Sequence, residues 1–336
     1  MTTDFTGLID LASERLGGAV LFANDDFFAP KERLLRASAP VFIEGKYTDR
    51  GKWMDGWESR RRRTPGFDWC LVRLGLPGRI HGVLVDTSHF KGNYPESCSL
   101  EACALEGTPD VEQLTSETTK WVEILPLARL HGDSPNLFPV AASERFTHLR
   151  FKIYPDGGVA RLRVYGEVVP DWPRLKRAGG EIDLAAVEHG GLVIATSDEF
   201  FGRRNNLIMP GRASEMSDGW ETKRRRGPGY DWAVIKLGAM GTINRVEVDT
   251  AYFKGNFPES CSLEVCQASG SASDPATLAT LSWQELLPRT RLQAHTRHFY
   301  EKELKPSGAV THVRFNIFPD GGVSRLRLYG SVADGG

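Results

Sequence analysis

The chain repeats itself once over most of its length. DGWESRRRRTPGFDW, from Asp55 to Trp69, returns as DGWETKRRRGPGYDW from Asp218 to Trp232, with 11 of 15 positions identical. DTSHFKGNYPESCS (Asp86 to Ser99) returns as DTAYFKGNFPESCS (Asp249 to Ser262), and IYPDGGVARLRVYG (Ile153 to Gly166) as IFPDGGVSRLRLYG (Ile317 to Gly330), each with 11 of 14 identical. Shorter echoes precede them: Ile9-Asp10-Leu11-Ala12 with Ile182-Asp183-Leu184-Ala185, Gly17-Gly18 with Gly190-Gly191, and Phe27-Phe28 with Phe200-Phe201. The order of the blocks is the same in both halves, the mark of a duplication. A period of ~165 residues is far above the 20–50 of solenoid repeats, so each copy is a domain. The expected division is 1–172 and 173–336, with the linker near Pro170-Asp171-Trp172-Pro173. The first copy carries about ten extra residues around Ala37 to Lys52, most simply a longer loop.

Within each copy the pattern is that of β structure. In THLRFKIYP, Leu149, Phe151 and Ile153 alternate with His148, Arg150 and Lys152; in VARLRVYG, Ala160, Leu162 and Val164 alternate with Val159, Arg161 and Arg163. A period of two is the signature of a strand with one apolar face. Ile80 to Val85 and Ser99 to Leu105 read as further strands. PDGG at Pro155 to Gly158 predicts a tight hairpin between its flanking strands. Gly7 to Leu16 and Val111 to Thr118 are candidates for short helices. Many short strands in a domain of this size point to a sandwich or jelly roll.

The net charge of −1 gives the molecule no field to gather nucleic acid or an anionic membrane. No stretch approaches the ~18 apolar residues of a membrane span. The first eighteen residues mix acids with apolar residues, unlike a secretory signal. Cys98 and Cys103, like Cys261 and Cys266, are five apart in predicted strands, hence on opposite faces, which argues against a bridge within each pair. Reduced, buried thiols fit a cytosolic protein.

Three constellations carry chemistry. In DGWESRRRR, Asp55, Glu58 and Arg60 to Arg63 crowd together, so acids or a bound anion must offset the cations; the run is either a carboxylate clamp or a solvated face. DTSHFKGNYPES places His89, Lys91 and Asn93 on a loop at a strand end, where functional groups gather. His89 faces Tyr252 in the other copy, the kind of break expected if only one copy does chemistry. In PDGGVARLRVYG, Arg161 and Arg163 are available to Asp156 or to an anion. His148 and His312 are in register, which favours a structural role. No short-spaced set of His, Cys and carboxylates marks a metal site, so a divalent metal is possible but not indicated and no cofactor is expected.

FKGN-P-S, DGWE with its basic run, and PDGGV-RLR-YG together resemble the allantoicase family, in both copies and over nearly the whole chain. The resemblance implies two tandem all-β jelly-roll sandwiches of the galactose-binding-like kind. It also implies hydrolysis of allantoate to ureidoglycolate and urea in purine degradation, and often a homo-oligomer. Against that chemistry, Arg61, Arg62 and Arg161 are candidates to hold the substrate carboxylate, with Lys91 and Asn93 also binding. His89 and Glu58 are the candidates for proton transfer. The alternative is a non-catalytic jelly-roll module that binds carbohydrate or another small polar ligand.

Overall fold

The computed structural model describes residues 5–268 and 275–333. The chain divides between Val169 and Pro170 into two compact units. Each unit is built on one strand of unusual length. In the first, eight strands form the sheet: β1 (Ile9–Asp10), β2 (Ala19–Ala23), β3 (Asp68–Asp86), β4 (Ser97–Cys103), β5 (Val122–Arg129), β6 (Pro135–Pro139), β7 (Phe146–Tyr154) and β8 (Arg161–Val168). Their order is β1-β8-β3-β7-β4-β5, with β2 and β6 also pairing with β3.

The 19-residue β3 serves both layers of the sandwich. Its first half, from Asp68 to Arg73, pairs with β2 and β7, while Gly78 to Asp86 pairs with β8 and, from Gly82, with β6. The switch falls at LGLPG, where a Cβ on Gly78 would stand 2.3 Å from the Glu167 carbonyl oxygen, so only glycine lets the layers close there. Leu149, Phe151 and Ile153 from β7 and Leu162 and Val164 from β8 are all fully buried and belong to the core. The last strand completes the first, with Ile9 opposite Gly166. The second unit repeats the plan around Asp231–Asp249.

PDGG does not close a hairpin. The strands on either side of it, β7 and β8, pair with opposite halves of β3 and not with each other. Pro155 to Gly158 therefore carries the chain from one layer to the other. The short segment Gly158–Val159 leaves β8 to pair with Trp57–Glu58. The region Gly7 to Leu16 is likewise not one helix: β1 lies between two 3₁₀ turns, Phe5–Gly7 and Glu14–Leu16. Val111–Thr115 is helical, capped by Asp110 and Gln113 in a reciprocal box. Among the described residues no helix is long and apolar enough to cross a membrane.

All five cysteines are free and buried. Burial pushes the Cys98 thiol up to about 12 and Cys103 to about 11, so neither is a nucleophile near neutral pH. His148 and His312 are also interior, 2% and 1% exposed, each with Nδ1 within 2.9 Å of the preceding threonine hydroxyl. Burial, helped by Arg73, pulls His148 down to about 4 from an ordinary 6.5. The folded state thus keeps His148 neutral where the unfolded chain takes up a proton. Its contribution to stability is full above pH 6.5 and is lost as pH falls toward 4. Urea unfolding of wild type should weaken over that window by up to roughly 1.4 kcal/mol per pH unit, and His148→Gln should flatten the slope. Identical slopes would remove His148 as the cause.

Candidate functional site

Trp57 fixes the position of Glu58. Its indole is fully buried and its Nε1 donates to the Asp25 carbonyl at 2.8 Å. Strand alternation then turns Glu58 the other way, and the pairing of Gly158 with Glu58 holds the backbone. A second anchor is Phe90, also fully buried, which sits so close that a Cβ on Gly158 would lie 1.9 Å from its ring. Gly158 donates its N–H to the Asn93 carbonyl at 2.7 Å, locking the FKGN loop beside the same short ladder. The result is a direct bond: Asn93 Nδ2 donates to Glu58 Oε1 at 2.7 Å.

Glu58 and Asn93 line a cavity of about 480 Å³ together with His89, Lys91, Phe28, Phe42, Lys52 and Met54. Burial raises the Glu58 carboxyl above its ordinary value, only partly opposed by the Asn93 bond. That places a carboxyl group whose proton is bound more tightly than usual in a cleft with an imidazole and two ammonium groups. His89 adopts a left-handed backbone with φ of 72°, rare for a residue with a side chain. Asp133 accepts the His89 backbone N–H at 2.7 Å and its carboxylate lies 4.0 Å from Lys91 Nζ. The imidazole packs on Phe42 at 5.8 Å between ring centroids, and Lys52 Nζ lies 4.5 Å from the centroid of the same Phe42 ring.

Phe42, Gly51 and Lys52 belong to the extra loop of the first copy. The two breaks in the repeat, that loop and His89 in place of Tyr252, therefore meet in one cavity. Sequence reasoning flagged the loop but assigned no residue of it to the site; a segment present in only one copy was the available signal. In the second copy Tyr252 takes the same backbone turn, φ of 68°, and the Asp133 position is His295, whose Nδ1 accepts the Tyr252 N–H at 2.7 Å.

The arginines lie elsewhere. Arg60 pairs with Asp25 at 2.6 Å and Arg62 with Asp68 at 2.7 Å, while Asp156 accepts the Arg62 backbone N–H at 2.8 Å. The acids demanded by the basic run are thus present. Asp156 pairs with neither Arg161 nor Arg163, which bind Asp55 and Asp10. Arg61 is exposed, and neither it nor Arg62 lines the cavity. Arg161 is 1% exposed. Its guanidinium donates to Asp55 Oδ2 at 2.7 Å and to the carbonyls of Ser38, Ala39, Asp55 and Ala160. With every donor turned inward, it holds the base of the extra loop and has none for a ligand. Among the described residues no group of three His, Cys, Asp or Glu is placed to hold a metal ion.

A family model for the allantoicase repeat matches residues 9–169 and again 182–333. The chain is 50% identical to a probable allantoicase of Burkholderia mallei, covering 96% of this chain and 94% of that one. It is also 50% identical to an allantoicase of Dictyostelium discoideum, over 97% of this chain and 87% of the other. A crystal structure of allantoicase from Saccharomyces cerevisiae superimposes with a TM-score of 0.81 at 38% identity, over 96% of this chain and 93% of that one.

Proposed function

The chain belongs to the allantoicase family, and from that premise we propose that it hydrolyses allantoate to ureidoglycolate and urea in the cavity of the first copy. Allantoate carries a carboxylate and two ureido groups on one carbon. Hydrolysis breaks the bond from that carbon to one ureido nitrogen, forms a bond to water oxygen, and delivers a proton to the departing urea. The observation that carries the reading is Glu58, a carboxyl raised by burial and bonded to Asn93. As general acid it protonates the leaving nitrogen; His89 takes the proton of the attacking water. Lys91 and Lys52 supply the cations for the substrate carboxylate, and Asn93 meets a ureido group. Arg61, exposed and outside the cavity, adds to the local potential for an anionic substrate, whereas the charge of Arg62 is offset by Asp68.

The purified chain should release urea from allantoate. Lys91→Met should raise KM about tenfold with kcat little changed, as expected for a cation that binds ground and transition states alike. An unchanged KM would move the carboxylate site away from Lys91. The reading also includes a homo-oligomer in the cytosol. Val41, Phe42 and Ile43 on the extra loop are 51%, 43% and 43% exposed, an apolar stretch suited to a second copy. Five unbridged thiols support a reducing compartment.

A further inference from the structure

The second copy has a cavity of its own, of about 750 Å³, against the Glu221–Asn256 pair that corresponds to Glu58 and Asn93. Its lining differs in kind. No histidine lines it, and the cations are Arg224, Arg225 and Arg291. Arg291 ends the strand Gln284–Arg291, whereas Arg224 follows the short strand Trp220–Glu221, so distant parts of the chain bring them together.

The charges in this cavity do not cancel internally. Each lining carboxylate is engaged: Glu221 accepts from Asn256 Nδ2 at 2.5 Å, Asp320 accepts the Arg225 backbone N–H at 2.8 Å, and Glu259 lies 3.7 Å from Arg289. The Arg225 guanidinium is held by Asp231. Among the described residues no group pairs with the guanidinium of Arg224 or Arg291, and both residues are exposed. Two unpaired planar forks at one polar cavity match a carboxylate. Beside them the second Glu221 oxygen and the Asn256 side-chain Oδ1 are acceptors for N–H groups, the donors a ureido group carries.

We infer that this cavity is a second binding site, for a small carboxylate bearing a ureido group, which it holds without hydrolysing. The ureido part of that assignment rests on the hydrolytic reading of the first copy; the carboxylate part rests on Arg224 and Arg291 alone. Both arginine side chains are exposed, so their removal leaves the core intact.

Titration calorimetry of the full chain with N-carbamoylglycine, which has both groups, tests the inference. The Arg224→Ala/Arg291→Ala double variant should lose one binding equivalent per chain, or bind it at least about tenfold more weakly, the scale of a lost charge-assisted bond. Glu58→Gln should leave that equivalent in place, and the double variant should still release urea from allantoate. The same stoichiometry and affinity in wild type and double variant would overturn the site. Equal affinity for N-acetylglycine at this site would overturn its preference for a ureido group. Absent urea release by wild type, with N-carbamoylglycine binding still lost in the double variant, would sink the hydrolytic reading and leave the carboxylate site standing.

Discussion

Glu58→Gln should lower kcat for urea release by roughly 10²–10⁴, the usual worth of a positioned proton donor. Glutamine keeps the size of the side chain and can still bond Asn93, so KM should change little. The contrast with the second copy makes the experiment specific. Glu221 has the same asparagine partner, but in its copy Tyr252 stands in the place of His89 and the extra loop is missing. Glu221→Gln should therefore leave kcat within about twofold, a negligible change in barrier. Because burial raises the Glu58 carboxyl, its acid form persists above the ordinary 4.5, and the fall in kcat on the alkaline side should move in variants that solvate the cleft. Phe42→Ala is the simplest of these. A Glu58→Gln variant with wild-type turnover would end the assignment.

Asp55→Ala should destabilise the first unit by about 3–5 kcal/mol, the cost of stranding a buried partner charge. For a unit of this size that lowers the melting temperature by something on the order of 10 °C. Arg161 is almost wholly enclosed and Asp55 is 5% exposed, so neither can turn to water when the other is lost. Burial alone would raise the Asp55 carboxyl. The bonds from Arg161 and from the Val41 amide outweigh it and hold the group below 3.8. The stabilisation is thus present above that pH and is lost as pH falls through the lowered value. Asp55→Leu with Arg161→Met should cost less than either single change, since replacing both charges leaves no orphan. Thermal unfolding read by the near-ultraviolet signal of each unit's tryptophans would decide it; additive losses in the double variant would refute the coupling.

The same pair explains what could and could not be read from the sequence. Duplication, domain size and β character were legible because they rest on identity and on period-two alternation, which survive without three-dimensional knowledge. The role of Arg161 was not. On an ideal strand it faces away from the apolar residues, as expected, but the segment before Trp57 folds over that face and turns it into interior, as the segment before Trp220 does over Arg325 in the second copy. PDGG misled for a related reason. Its turn chemistry is local, whereas the partner of each flanking strand is set by β3, some seventy residues earlier. Glu58, His89, Lys91 and Asn93 were recognisable as polar groups in loops and do share one cavity. Phe42 and Lys52 were missed because nothing in residue type says where a loop lands.

The closure of β1 by β8 has a consequence for how the chain comes into being. Ile9 must wait for Gly166 before its sheet edge is covered, so nearly the whole first unit has to leave the ribosome before that unit can complete itself. Contacts of such long sequence separation form slowly, and translation at about 5–20 residues per second lets much of the second unit be made in the meantime. Two sheets of the same strand order are then made on one polypeptide. Their terminal strands, Ile9–Asp10 and Ile182–Asp183, carry the same two residues, so nothing in the strand itself tells the right partner from the wrong one.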